Sequence, residues 1–165
     1  MNTDIQQAPS GKGKLQVGDH APDFTLPTQK TGELFHLHDL IGKSALVLYF
    51  YPKSNTAGCT AEACSFRDNY EVFQKAGAEV VGVSSDSEGT QQQFAGKHKL
   101  PFLLLSDKGG ALRKMYGVPA TLGILPGRVT YVIDKEGVVR HIFSDQLNAT
   151  RHIKEALKVI QEIAH

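Results

Sequence analysis

The segment Ala45-Leu46-Val47-Leu48-Tyr49-Phe50-Tyr51, closed by Pro52, decides the fold. An apolar run without polar alternation predicts a strand covered on both faces. Pro52 cannot donate to a ladder and forces the chain out of the sheet. A helical pattern follows from Thr60 to about Lys75, with Ala63, Phe66, Tyr70 and Phe73 at helical spacing and Gly77 placed to stop it. Further along, Glu79–Ser84 and Phe102–Leu105 repeat the strand character. Val129–Ile133 and Val138–Phe143 flank the turn Asp134-Lys135-Glu136-Gly137 and predict a hairpin. Helices are expected at Thr90–Lys99, with Asp86 and Ser87 as caps, at Gly110–Tyr116, and at the C-terminus. There, Ile153, Ala156, Leu157, Ile160 and Ile163 form one apolar stripe. Upstream, Phe24–Leu26 and Leu34–Leu37 flank Gln29–Gly32 as a small hairpin. Strands alternating with helices predict an α/β sandwich around a mixed central sheet.

The 165 residues suit one domain over residues 15–165, preceded by a mobile tail at 1–14 that has little to bury. Eighteen basic against seventeen acidic residues leave a net charge of +1, which offers nothing for nucleic acid to select. The apolar run Ala45–Tyr51 falls far short of the ~20 residues a membrane helix needs. The polar start, Met1 to Gln7, lacks a secretory pattern, so the expected location is the cytoplasm.

Two cysteines cannot build a disulfide scaffold, but they can form a redox pair. Cys59 falls where the strand hands over to the helix. Unpaired N–H groups and the positive end of the helix dipole favour a thiolate at such a place. Cys64 lies five residues on. Ideal helix geometry sets Cα atoms at that spacing ~8.7 Å apart, beyond the ~7 Å a disulfide tolerates. If both are helical, they can bond only after the first turn unwinds, which reads as a redox switch. The competing reading makes both cysteines plain core residues. A Cys-x-x-Cys oxidoreductase fits poorly, because four residues separate the pair. A zinc module fits worse and no metal is expected. His36 and His38 precede the pair, His98 stands alone, and His20, His141, His152 and His165 read as surface or edge residues.

These residues resemble the peroxiredoxin family. Pro52-x-x-x-Thr56-x-x-Cys59 is similar to its active-site motif, and Gly58-Cys59-Thr60-Ala61-Glu62-Ala63-Cys64 resembles the bacterioferritin-comigratory, or Q-type, subgroup. Ala21–Pro27, Ser106-Asp107 with Tyr116-Gly117-Val118, and Arg128–Asp134 resemble further landmarks in the same order. The likeness runs from about Leu15 to the final helix. It implies a thioredoxin-like fold with an N-terminal β-hairpin extension and a peroxidase acting on hydrogen peroxide and alkyl hydroperoxides. It also implies no cofactor, and thioredoxin or a related dithiol as reductant. By the same resemblance Cys59 is the peroxidatic cysteine, Cys64 resolves it within one chain, and Pro52, Thr56 and Arg128 complete the peroxide pocket. The chain lacks the C-terminal Tyr-Phe tail of typical two-cysteine members, which implies a monomer.

The chemistry sets its own demand. A thiol of ordinary pKa is already about 3% ionised at pH 7, so full ionisation gains only about thirty-fold. The remaining advantage must come from transition-state electrostatics. Arg128 is a permanent cation with several donors, and Thr56 offers a hydroxyl that can donate to one oxygen while accepting from another group. The amides near Gly58 and Cys59 add donors, and Gly58 lets backbone approach the peroxide. Pro52 shields the sulfur. Glu62 has two readings: an acid favoured by the helix dipole, or a catalytic group whose charge opposes a thiolate. Lys53 reads as a solvated loop residue.

Overall fold

The computed structural model describes residues 15–121 and 125–163. The expected tail at 1–14 and His165 lie outside them. In chain order the elements are β1 (Thr25–Pro27), β2 (Leu34–His36), β3 (Ala45–Phe50), α1 (Ala57–Asp68), α2 (Tyr70–Lys75), β4 (Ala78–Ser84) and α3 (Glu88–His98). Then come β5 (Leu103–Ser106), α4 (Ala111–Tyr116), β6 (Ala120–Thr121), β7 (Leu125–Pro126), β8 (Val129–Ile133), β9 (Val139–Ser144) and α5 (Arg151–Ile163). A five-stranded sheet in the order β5-β4-β3-β8-β9 forms the centre. β3, β4 and β5 run parallel, while β8 pairs antiparallel with both β3 and β9. β1 and β2 form the expected hairpin, and β6 and β7 pair in a small antiparallel ribbon that the sequence pattern did not suggest.

The unbroken apolar run of β3 follows from its place. Val47 and Tyr49 enter a core shared with α1, α2, α3 and α5. Leu46, Leu48 and Phe50 enter a second core with the β1–β2 hairpin and α4. All six β3 residues are buried, and successive side chains feed opposite layers.

Two helices differ from expectation. The helix predicted from Thr60 to Lys75 begins earlier, at Ala57, and is broken at Asn69. Asn69 leaves helical geometry (φ −109°, ψ 6°), and its side-chain amide donates to the Ser65 carbonyl, a local bond that competes with the helical ladder. α3 starts at Glu88, with the Ser87 hydroxyl accepting from Thr90 N–H as a helix cap. Asp86 instead accepts hydrogen bonds from Ser54 N–H and the Ser84 hydroxyl.

Candidate active site

Sheet register gathers the site at one end of the sheet. Phe50 is paired with Val129 and Val129 with Ser144. The end of β3, the start of β8 and the end of β9 are therefore level. Arg128, one residue before β8, comes to lie beside the exit of β3. α1 begins just beyond β3, and α5 begins just beyond β9.

The loop from Tyr51 to Thr56 is held from below. The Tyr51 hydroxyl and Ser54 Oγ are 3.2 Å apart, and Ser54 N–H donates to Asp86 Oδ2 at 2.7 Å. Asn55 turns the chain through left-handed geometry (φ 68°), which asparagine tolerates better than most residues. Thr56 occupies the N-cap position without capping. Its hydroxyl donates to the Lys53 carbonyl at 2.9 Å. That spends the one O–H proton on the protein, so what Thr56 offers a ligand is the accepting half of its expected role. Pro52 and Gly58 are half-buried, and Thr56 and Lys53 are exposed.

Cys59 is buried in the first turn of α1, and Cys64 is half-buried in the same helix; both are free thiols. The first intrahelical bond runs from Thr60 N–H to Thr56 O. The N–H groups of Ala57, Gly58 and Cys59 precede it and have no partner within the helix.

Arg128 binds the site together. Its side chain is buried, Nη1 donates to Glu62 Oε1 at 2.6 Å, and Nε reaches the Gln146 carbonyl at 3.4 Å. Burial works against the Arg128 cation, but the charges of Glu62 and Cys59 and the hydrogen bond to Glu62 outweigh that and raise its pKa. A side-chain carbon at Gly58 would lie 3.0 Å from Arg128 Nη2. Gly58 therefore admits the guanidinium.

The first-turn placement expected of Glu62 is overturned. It lies beyond the first turn and is fully buried. Burial pushes its pKa up to about 8, opposed by the charge and hydrogen bond of Arg128. Oε2 is buried without a hydrogen-bond partner among the described residues. Its neighbour at 3.7 Å is Nδ1 of His152. The expectation of a surface or edge His152 is overturned: the residue is fully buried. Positions 152, 156 and 160 recur every four residues, so the apolar stripe of α5 already included it. His20 is exposed and His141 half-buried.

Comparison with known proteins gives the family. The AhpC/TSA family matches residues 17–142. The chloroplastic peroxiredoxin Q of Arabidopsis thaliana is 52% identical over 149 residues, 90% of this chain and 68% of that protein. Peroxidoxin BcpB of Mycobacterium tuberculosis superposes with a TM-score of 0.83 at 37% identity, over 90% of this chain and 98% of that one. A Xanthomonas campestris bacterioferritin comigratory protein, described for its alkyl peroxide reduction activity, superposes with a TM-score of 0.78 at 30% identity, over 86% and 92% of the two chains. These likenesses establish the thioredoxin-like fold. They also overturn the cytoplasmic assignment: plant relatives are named as chloroplastic, and a missing secretory pattern does not separate those compartments. With this match over most of its length, and a buried thiol at a helix start beside a clamped arginine, the chain belongs to the AhpC/TSA family, in its peroxiredoxin Q branch, and is a thiol-dependent peroxidase.

Proposed function

We propose that Cys59 is the peroxidatic nucleophile, that Cys64 resolves it, and that Pro52, Thr56, Gly58 and Arg128 form the peroxide pocket. One observation carries this reading: the Arg128 guanidinium, hydrogen-bonded to Glu62, sits against Gly58 beside the buried Cys59 at the open N-terminus of α1. The Cys59 thiolate attacks the terminal peroxide oxygen and the O–O bond breaks. The sulfur becomes a sulfenic acid, and the leaving alkoxide or hydroxide takes a proton to depart as alcohol or water. Arg128 spreads its donors over the developing negative charge, the free N–H groups at the helix start assist, and Thr56 accepts from the hydroperoxide O–H. The thiol of Cys64 then condenses with the sulfenic acid, forming the disulfide and releasing water. A dithiol reduces that disulfide to two thiols and is itself oxidised.

Hydrogen peroxide and alkyl hydroperoxides are the substrates, in keeping with the alkyl peroxide reduction named for the Xanthomonas campestris protein. Thioredoxin or a related dithiol is the reductant. Both cysteines lie on one helix, so the cycle needs no second chain and the enzyme works as a monomer. The test is single-turnover mixing of reduced protein with one equivalent of hydrogen peroxide. Cys59→Ser should consume none. Cys64→Ser should consume one equivalent and then fail to recycle with thioredoxin. Unimpaired steady-state turnover in the Cys64 variant would remove its resolving role.

A further inference from the structure

Behind Arg128 lies a second layer of polar contacts centred on His152. Its Nε2 is 2.9 Å from the Asp145 carbonyl, which can only accept, so Nε2 carries the proton. Burial, assisted by the Arg128 charge, pushes the imidazole down to about 4, so it is neutral at working pH. Nδ1 is then an acceptor, and the Thr130 hydroxyl 2.8 Å away donates to it. The tautomer is fixed from both sides.

Each contact of His152 leads to Arg128. Thr130 lies two residues beyond Arg128 along the β8 segment, so the two side chains share a face of the sheet. Glu62, whose Oε2 is 3.7 Å from His152 Nδ1, holds Arg128 through Oε1. Asp145 precedes Gln146, whose carbonyl faces Arg128 Nε. Asp145 Oδ1 also accepts from Leu147 and Asn148 N–H, so the β9–α5 loop is a shaped turn and His152 ties it to the interior. The Phe143 ring closes the pocket edge-on, 4.8 Å from the imidazole.

We infer that His152 is a positioning residue for the peroxide step: it fixes the loop carbonyl and the β8 face that together aim Arg128 at Cys59. This rests on the role proposed for Arg128, and the experiment separates the two. The reduced protein is mixed with hydrogen peroxide, quenched at intervals with an alkylating agent, and the remaining free Cys59 is counted by mass spectrometry. Alkylation of Cys59 by iodoacetamide, which presents no peroxide oxygen to Arg128, is measured in parallel.

His152→Phe keeps a ring but removes both hydrogen bonds. It should slow oxidation by peroxide ten-fold or more while alkylation changes less than three-fold. His152→Gln keeps one donor and one acceptor and should recover to within about three-fold of the parent. Arg128→Ala in the same assay reports on the underlying reading; if it oxidises at the parent rate, that reading falls and takes this inference with it. If Arg128→Ala is slow but His152→Phe is within two-fold of the parent, the inference alone fails. Equal slowing in the Phe and Gln variants would mean packing, not hydrogen bonding, and would also overturn it. Should His152→Phe not fold, Thr130→Val decides: slower oxidation with unchanged alkylation supports the inference, and a parent-like rate overturns it.

Discussion

At the scale of single residues, the site is a competition for one guanidinium. Arg128 donates to a carboxylate and a carbonyl while Nη2 lies against Gly58 beside the thiol, and only a planar fork can serve all three directions. Arg128→Lys keeps the charge and loses the fork. The second-order rate with hydrogen peroxide should fall roughly 100-fold or more, the scale set by removing one aimed donor from a transition state. A loss below ten-fold, measured by competition with a reference peroxidase, would show that charge alone suffices. Gly58→Ala tests the same placement from the other side, since its methyl must push Nη2 away from 3.0 Å. The expected result is slower oxidation of Cys59 with little change in thermal stability. Equal rates for parent and variant would show that the guanidinium can shift freely. Sequence alone marked Cys59, Thr56 and Arg128 because their types and spacing are local or familiar. It could not show that Glu62 accepts from Arg128, because its partner is 66 residues away and the bond exists only once β8 docks on β3.

At the scale of the element, the proposed cycle asks α1 to be stable enough to hold Cys59 and weak enough to release it. The helix buries Cys59, Glu62, Ala63 and Phe66 on one face. Phe66 stacks on Tyr49 with ring centroids 4.6 Å apart, anchoring the helix just past Cys64. Unwinding from Thr56 to Cys64 therefore frees the segment the disulfide needs while the anchor remains. Ala61 lies between the cysteines and is exposed, so Ala61→Gly weakens that segment without touching the core. The substitution costs a helix about 0.5–1 kcal/mol. Disulfide formation after one equivalent of peroxide should accelerate about two- to five-fold, with the first oxidation of Cys59 unchanged. An unaltered rate of disulfide formation would mean that unwinding does not limit the step. The junction of β3 and α1 was legible because Pro52 ends an unmistakable apolar run. The break at Asn69 was not, since Ala63, Phe66, Tyr70 and Phe73 keep their period across it and only the Asn69 side chain shows why the ladder stops.

At the scale of the whole molecule, two buried titratable groups set opposite slopes of stability against pH. The carboxyl of Glu62 is raised from 4.5 to about 8 by burial. The unfolded chain therefore ionises first, and stability is lost as pH rises from about 4.5 through about 8. The imidazole of His152 is lowered from 6.5 to about 4, also chiefly by burial. Here the unfolded chain takes up the proton first, and about 3 kcal/mol is lost as pH falls from about 6.5 to about 4. Between about 4.5 and 6.5 the two slopes cancel; from 6.5 to 8 only the Glu62 slope remains. Single variants separate them. Glu62→Gln should gain stability relative to the parent steadily as pH rises from 5 to 8. His152→Gln should gain relative to the parent as pH falls from 6.5 to 5. Urea unfolding of the three reduced proteins at pH 5, 6.5 and 8 measures both differences. If the gap between Glu62→Gln and the parent is the same at all three values, Glu62 takes up no proton on folding, and it enters the core as a carboxylate fully compensated by Arg128.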